Sequence, residues 1–155
     1  MGRKITALVG FLAATTLVAL LGSMATETSV HTWYQALSKP SWNPPAWLFG
    51  PVWTVLYLAM ALAAWLVWLD HGAGRREALL LFAVQLILNA AWSWLFFYGR
   101  APGAALVDIV LLWVAIVATT AAFARLRRPA AWLMAPYLAW VTFAAALNAA
   151  IVHLN

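Results

Sequence analysis

The sequence predicts an all-α membrane protein, a single bundle of five transmembrane helices with its amino terminus in the cytoplasm, and three observations carry that prediction. The 155 residues are 66% hydrophobic and only 8% charged, with a mean hydropathy of +0.89, too little polar surface to cover a soluble globule of this size. Cutting at charges and Gly/Pro clusters leaves five apolar stretches, about 5–24, 47–69, 79–98, 103–124 and 130–153. Each is close to the roughly 20 residues that a helix needs to span a bilayer core. None alternates apolar and polar residues at period two, which excludes membrane strands.

The basic residues orient the bundle. Arg3, Lys4, Arg75, Arg76, Arg125, Arg127 and Arg128 fall at one end, against Lys39 and Arg100 at the other. That bias places the first end in the cytoplasm, which favours an inner membrane, with the carboxyl terminus on the far side. The net charge of +5 is therefore a topology signal and gives no support to nucleic-acid binding.

The first span has the layout of a signal peptide, with Arg3-Lys4, an apolar run and Ser23-Met24-Ala25. Its run is nearer spanning length than a typical signal core, so it is read as a retained helix. The connection 25–46 follows. In it Ser29 is expected to cap a short helix with Trp33, Ala36 and Leu37 as its apolar stripe, and so long a connection over a bundle end reads as a lid.

The second span opens on Lys39-Pro-Ser-Trp-Asn-Pro-Pro-Ala-Trp47. Pro40, Pro44 and Pro45 fix φ and hold the chain extended before Trp47, so regular helix begins only there. Pro51 is tolerated early in the helix, and Trp53 and Tyr57 follow as an i, i+4 pair on one face. In the third span Gln85, Asn89, Trp92 and Phe96 share a face, placing two amides at membrane depth where lipid contact would be costly. The fourth carries Asp108 about five residues inside, read as a packing or hydrogen-bonding group within reach of Arg100. The fifth aligns Tyr137, Trp140, Ala144 and Asn148 at helical spacing. Connections 70–78, 99–102 and 125–129 are short, so consecutive helices should be antiparallel neighbours.

These inward faces imply a cavity walled by indole, phenol and amide, suited to a flat, largely apolar ligand whose polar edge is oriented by scarce donors. Ordinary packing by aromatics, with Gln85 and Asn89 as interhelical partners, is the alternative. There is no cysteine, and His31, His71 and His153 are scattered, so no metal site is expected. No paired acid and base or nucleophile constellation stands out, which removes conventional hydrolase and dehydrogenase chemistry.

Several segments resemble the TspO/MBR family, that of the tryptophan-rich sensory protein and the translocator protein (peripheral benzodiazepine receptor). They are Trp33-Tyr34-x-x-Leu-x-Lys-Pro-x-Trp-x-Pro-Pro, Trp53-Thr-x-Leu-Tyr, Asn89-x-x-Trp92, Ala105-Leu-Val-Asp108, and Pro136-Tyr-Leu-Ala-Trp140 through Leu147-Asn148. The match covers essentially the whole chain, 1–155, as one domain, and the chain resembles a bacterial member. The resemblance implies a homodimer with one pocket per protomer beneath the first connection. It also implies protoporphyrin IX, haem or other tetrapyrroles as ligands rather than required cofactors, and synthetic isoquinoline carboxamide and benzodiazepine compounds as further ligands.

Carried over position by position, the resemblance makes Tyr34, Trp42, Pro44, Trp53, Tyr57, Asn89, Trp92, Trp140 and Ala144 the ligand-binding residues. Trp53 and Trp140 are those implicated in photochemical turnover. The function implied is a sensory protein that binds tetrapyrroles and modulates their level. The alternatives are a light- and oxygen-dependent protoporphyrin IX degrading enzyme and a transporter of tetrapyrroles or lipid-like solutes. Animal members carry a carboxyl-terminal cholesterol motif with Tyr followed by Arg or Lys. After Leu147-Asn148 this chain reads Ala-Ala-Ile-Val-His-Leu-Asn and has neither, so sterol binding there is not expected.

Overall fold

In the computed structural model, which describes residues 2–155, the chain is helical throughout its apolar stretches. The long helices are α1 (Gly2–Glu27), α3 (Ala46–Trp68), α4 (Arg75–Ser93), α5 (Pro102–Leu126) and α6 (Arg128–Leu154), and a single short turn, α2 (Trp33–Ala36), lies in the first connection. A π-helical turn, Trp94–Tyr98, extends α4. All five long elements are long and apolar enough to cross a membrane.

Proline and glycine set the boundaries. Pro45 is extended (φ −63°, ψ 143°) and α3 starts at the next residue, one position earlier than expected. Pro102 and Pro129 occupy first-turn positions of α5 and α6, where the missing N–H has no intrahelical partner to lose. One extended residue, Arg127 (φ −144°, ψ 100°), separates those two helices. Gly74 enters α4 at φ +89°, a left-handed conformation that side chains with a Cβ rarely adopt.

Around the bundle the helices pack in the order α1, α4, α5, α6, α3 and back to α1. Sequential long helices are neighbours as expected, but α3 and α4 meet least, through Tyr57–Asn89 and Gln85–Met60, because α1 packs against both. Gly22 lets α1 come close to α4: a Cβ there would sit 3.3 Å from Ser93 Oγ. Phe11 meets Phe82 edge-on, and the Trp65 indole donates to Lys4 O at 2.9 Å. Only Thr15 and Ala25 of α1 are buried, so that helix is the peripheral one.

Two apolar clusters fill the interior. The larger runs from Leu56 and Met60 through Phe82, Leu112 and Phe123 to Met134 and Tyr137. The smaller, at the lid end, joins Phe96, Ala105, Leu147 and Ile151 beneath Trp33, Tyr34 and Leu37. With lipid as the alternative surroundings, apolar burial itself gains little, so close packing and hydrogen bonds between helices decide the arrangement.

Three local expectations are corrected. Ser29 does not cap α2; it is buried, and its hydroxyl donates to Phe97 O at 2.7 Å, tying the connection to the π-turn. The N-cap is Thr32, without a side-chain bond. Ala36 is exposed and Tyr34 takes its place in the stripe, because one turn of helix presents residues 33, 34 and 37 together. Asp108 makes no ion pair with Arg100. Arg100 lies at φ 50° in the tight connection that follows the π-turn.

At the opposite end, the Asp70 carboxylate accepts from Gly72 N (2.7 Å) and Arg127 Nε (2.8 Å), joining the α3–α4 connection to the α5–α6 junction. Arg75 donates to Asp70 O at 2.9 Å in the same knot.

Candidate functional site

At the centre of the bundle the expected polar faces meet in one hydrogen-bonded chain. The Tyr57 hydroxyl donates to Asn89 Oδ1 at 2.6 Å, Asn89 Nδ2 donates to the Tyr137 oxygen at 2.9 Å, and the Tyr137 hydroxyl donates to Gln85 Oε1 at 2.8 Å. Gln85 Nε2 ends the chain against Met60 Sδ at 3.9 Å. Donors run head to tail across α3, α4 and α6, an arrangement in which each bond polarises the next. Trp53 stacks on Tyr57 with ring centroids 5.4 Å apart and meets Tyr137 edge-on at 6.2 Å.

Nearer the lid, Trp92 Nε1 donates to Asn148 Oδ1 at 3.0 Å, and Asn148 Nδ2 donates to Pro102 O at 2.9 Å. That bridge fastens α4, α6 and the start of α5 at one level. Trp92 stacks on Phe96 at 5.1 Å. The π-turn widens the helix so that the Gly99 N–H reaches back to Trp94 O at 2.8 Å. Phe96 and Phe97 are thereby both in contact with Tyr34, with centroids at 6.1 and 5.5 Å. Such turns are frequent where a helix must present side chains for function.

The connection above is stitched to this aromatic layer. The Tyr34 hydroxyl donates to Asn43 Oδ1 at 3.1 Å, and Asn43 Nδ2 reaches Pro44 O at 3.2 Å. Burial raises the Tyr34 phenol above its ordinary value, partly offset by the Asn43 bond. Lys39 Nζ lies 4.9 Å over the Tyr34 ring and donates to the carbonyls of Tyr34, Gln35 and Leu37, closing off the C-terminal end of α2. Ser38 and the carboxyl-terminal Asn155 exchange two hydrogen bonds, 2.9 and 3.0 Å.

Trp42 meets Phe143 edge-on at 5.7 Å, Phe143 lies 5.6 Å from Trp140, and Trp140 meets Phe49 edge-on at 5.8 Å. This aromatic row runs along the α3–α6 seam, where an apolar groove of ≈ 610 Å³ opens sideways. Pro51, Val52 and Val55 form its α3 wall and Pro136, Ala139 and Trp140 its α6 wall.

Two regions thus share the nine sequence-predicted positions. Trp53, Tyr57 and Asn89 belong to the central chain, and Ala144 packs against the same core. Tyr34, Trp42, Pro44, Trp92 and Trp140 belong to the lid-end aromatic layer and its edge. The expected cavity walls are drawn together at the centre because each phenol and amide finds its partner on the facing helix. Sequence reading left out Tyr137 as the hub of the chain, and Phe96, Phe97 and Phe143 as the links between lid and helices. The run Trp94-Leu-Phe-Phe-Tyr98 was the available signal for the π-turn region. Among the described residues, no group of three His, Asp or Glu side chains comes together as a metal site.

Comparison with known proteins agrees with this architecture. The model of the TspO/MBR family matches residues 11–154. The chain is 50% identical over 141 residues to the tryptophan-rich protein TspO of Chlorobaculum tepidum, covering 89% of each chain. It is 43% identical over 142 residues to the human translocator protein, covering 90% of this chain and 84% of that one. Against the tryptophan-rich sensory protein of Cereibacter sphaeroides it is 39% identical over 143 residues, covering 90% and 89%.

Proposed function

The chain belongs to the TspO/MBR family, a multi-pass integral membrane protein, and on that premise we propose that it is a sensory receptor for tetrapyrroles of the protoporphyrin IX or haem type. The observation that carries the reading is the aromatic layer itself. Tyr34 and Trp42 on the connection are already in ring contact with Phe96 and Phe97 of the π-turn and with Phe143 of α6. A flat macrocycle replaces such edge-on contacts by stacking at little loss, since both arrangements satisfy the ring quadrupoles. The Tyr57 and Asn89 chain beneath supplies the scarce polar groups that would orient it. The tetrapyrrole is ligand, and none is needed as a resident cofactor. Occupancy would be signalled through the connection, in a homodimer oriented with its basic end in the cytoplasm of a bacterial inner membrane. Isoquinoline carboxamide and benzodiazepine compounds would compete for the same layer.

Titration of protoporphyrin IX into the protein in nanodiscs tests this. Tryptophan fluorescence should be quenched saturably, and Trp92→Phe together with Trp140→Phe should weaken the apparent affinity by roughly tenfold, as expected when two stacking surfaces shrink. Unchanged fluorescence in the parent protein rejects the reading.

One observation favours a second activity, light- and oxygen-dependent breakdown of the porphyrin. Trp53 is stacked on Tyr57, itself hydrogen-bonded, so an indole beside the ligand has a phenol neighbour with which to share an oxidising equivalent. If Trp53→Phe and Trp140→Phe variants bleach bound porphyrin under light as fast as the parent, no protein-directed chemistry is present.

A further inference from the structure

Helix α6 carries an outward strip that runs from the basic end to the middle of the bundle. The helix turns Ala130, Met134, Tyr137 and Val141 inward, and all four are buried. Arg128, Trp132, Pro136, Ala139 and Phe143 follow one another at steps of four, four, three and four residues, which gathers them on the opposite face. The first four are exposed, Trp132 by 76%, and Phe143 is half-buried. Pro136, Ala139 and Phe143 are also wall residues of the ≈ 610 Å³ apolar groove on the α3–α6 seam. The groove is thus the deep part of a strip whose shallow part is Arg128 and Trp132.

The charge at the shallow end has no internal answer. Arg127 gives its Nε to Asp70 at 2.8 Å, but the flanking Arg125 and Arg128, both exposed, have no ion pair or side-chain hydrogen bond among the described residues. One turn deeper stands the Trp132 indole, a side chain that favours the boundary between headgroups and hydrocarbon. Deeper still, Pro136 and Ala139 face Pro51, Val52 and Val55 of α3 across an apolar trough. From Arg128 to Phe143 the helix rises about 22 Å. One leaflet with its headgroups measures about 20–22 Å.

We propose that this strip is a binding site for an anionic phospholipid of the leaflet that meets the basic end. The phosphate lies on Arg128 and Arg125, the ester region beside Trp132, and one acyl chain in the α3–α6 groove. Guanidinium, indole and apolar trough come in the order and over the length that one such lipid presents. Charge decides against a second copy of the chain as occupant. A two-fold axis along the membrane normal would bring the partner copy's basic end to the same level, like charge against like charge, whereas a phosphate neutralises it. The chain tip lies against Trp140 and Phe143, on the lipid side of the aromatic row that carries Trp42. The inference does not depend on the tetrapyrrole reading, because it concerns the outer face of α6 and a ligand held at the other end of the bundle.

The test uses the full chain in neutral detergent micelles and counts bound lipid by mass spectrometry of the intact complex. Dioleoyl phosphatidylglycerol and dioleoyl phosphatidylcholine share their acyl chains and differ in net charge. The parent should retain the first more tightly by roughly tenfold, the scale of two basic side chains at a headgroup. Arg128→Gln should lose about fivefold of that preference, and Arg125→Gln combined with it nearly all. Arg76→Gln removes an exposed charge at the same end but on α4, and should leave the preference unchanged. Ala139→Phe, which fills the groove, should weaken dioleoyl phosphatidylglycerol severalfold and leave dihexanoyl phosphatidylglycerol, too short to reach it, unaffected. Equal retention of the two headgroups by the parent overturns the proposal. So does an equal loss in Arg76→Gln and Arg128→Gln, which would mean general attraction to the basic end, or an Ala139→Phe variant that holds the long-chain lipid as well as the parent does.

Discussion

The centre of the bundle and its lid end are both rich in aromatic side chains, yet they are held together in different ways. At the centre, Tyr57, Asn89, Tyr137 and Gln85 bond side chain to side chain across three helices, with Asn89, Tyr137 and Gln85 buried. At the lid end, most bonds run from a side chain to a backbone carbonyl, as with Ser29 to Phe97 O and Lys39 to three carbonyls, and the rings meet edge-on. Trp42 is 48% exposed, whereas Tyr137 is fully buried. The difference separates a part that fixes helix positions from a part that can rearrange. Breaking a central bond strands a polar group in an apolar interior, while a broken lid bond at the exposed Ser38 or Lys39 is replaced by one to water.

The largest effect that would sharpen this contrast is expected from Asn89→Leu. It leaves the Tyr57 hydroxyl without an acceptor and the Tyr137 oxygen without a donor, and should cost about 2 kcal/mol of stability. Unfolding in mixed micelles measures it, and a loss no larger than that of a surface substitution would break the comparison. Trp92→Phe comes next. Asn148 keeps its bond to Pro102 O but loses its donor from α4, for a cost of about 1 kcal/mol.

Ser29→Ala should act mainly at the lid. Ser29 is buried, so Phe97 O loses its donor at a cost of about 1 kcal/mol, and protease cutting between Ser38 and Asn43 should accelerate severalfold, because the connection loses its tie to the π-turn. Added protoporphyrin IX should slow that cutting in the parent; equal rates with and without it would show that ligand does not engage the lid.

The smallest effect lies at the basic end. Asp70 is held below the usual carboxylate range, first by the Gly72 N–H; desolvation opposes this next, and the Arg127 side chain and then the His71 N–H add to the lowering. Its contribution is therefore fully present above the unfolded-state value, near 4 as an approximate reference, and is lost as pH falls through the lower folded value. The parent should lose a small increment of stability over that acidic window and Asp70→Asn should not, with the difference shrinking in high salt.

Much of the candidate site is legible in sequence because helical spacing is a local property. Gln85, Asn89, Trp92 and Phe96 fall on one face at any helix rotation, and so do Tyr137, Trp140, Ala144 and Asn148. Which face meets which is not local. The Tyr137 hydroxyl becomes the hub only because α6 lies against α3 while α4 faces it across the core. The π-turn at Trp94–Tyr98 escapes a reading in 3.6-residue periods, since it departs from that period where the lid aromatics dock.

Hydropathy, proline placement and the Lys/Arg bias by themselves determine the number of long apolar helices, the approximate extent of each, and the orientation to be expected in a membrane. These follow from the cost of exposing polar backbone and charge to lipid, which every residue reports individually. The packing of α1 against both α3 and α4, the pairing of phenols with amides, and the isolation of Asp108 were decided only by tertiary structure. They depend on close approach between helices distant in sequence, where a glycine at position 22 or one hydroxyl too few changes the neighbour rather than the helix.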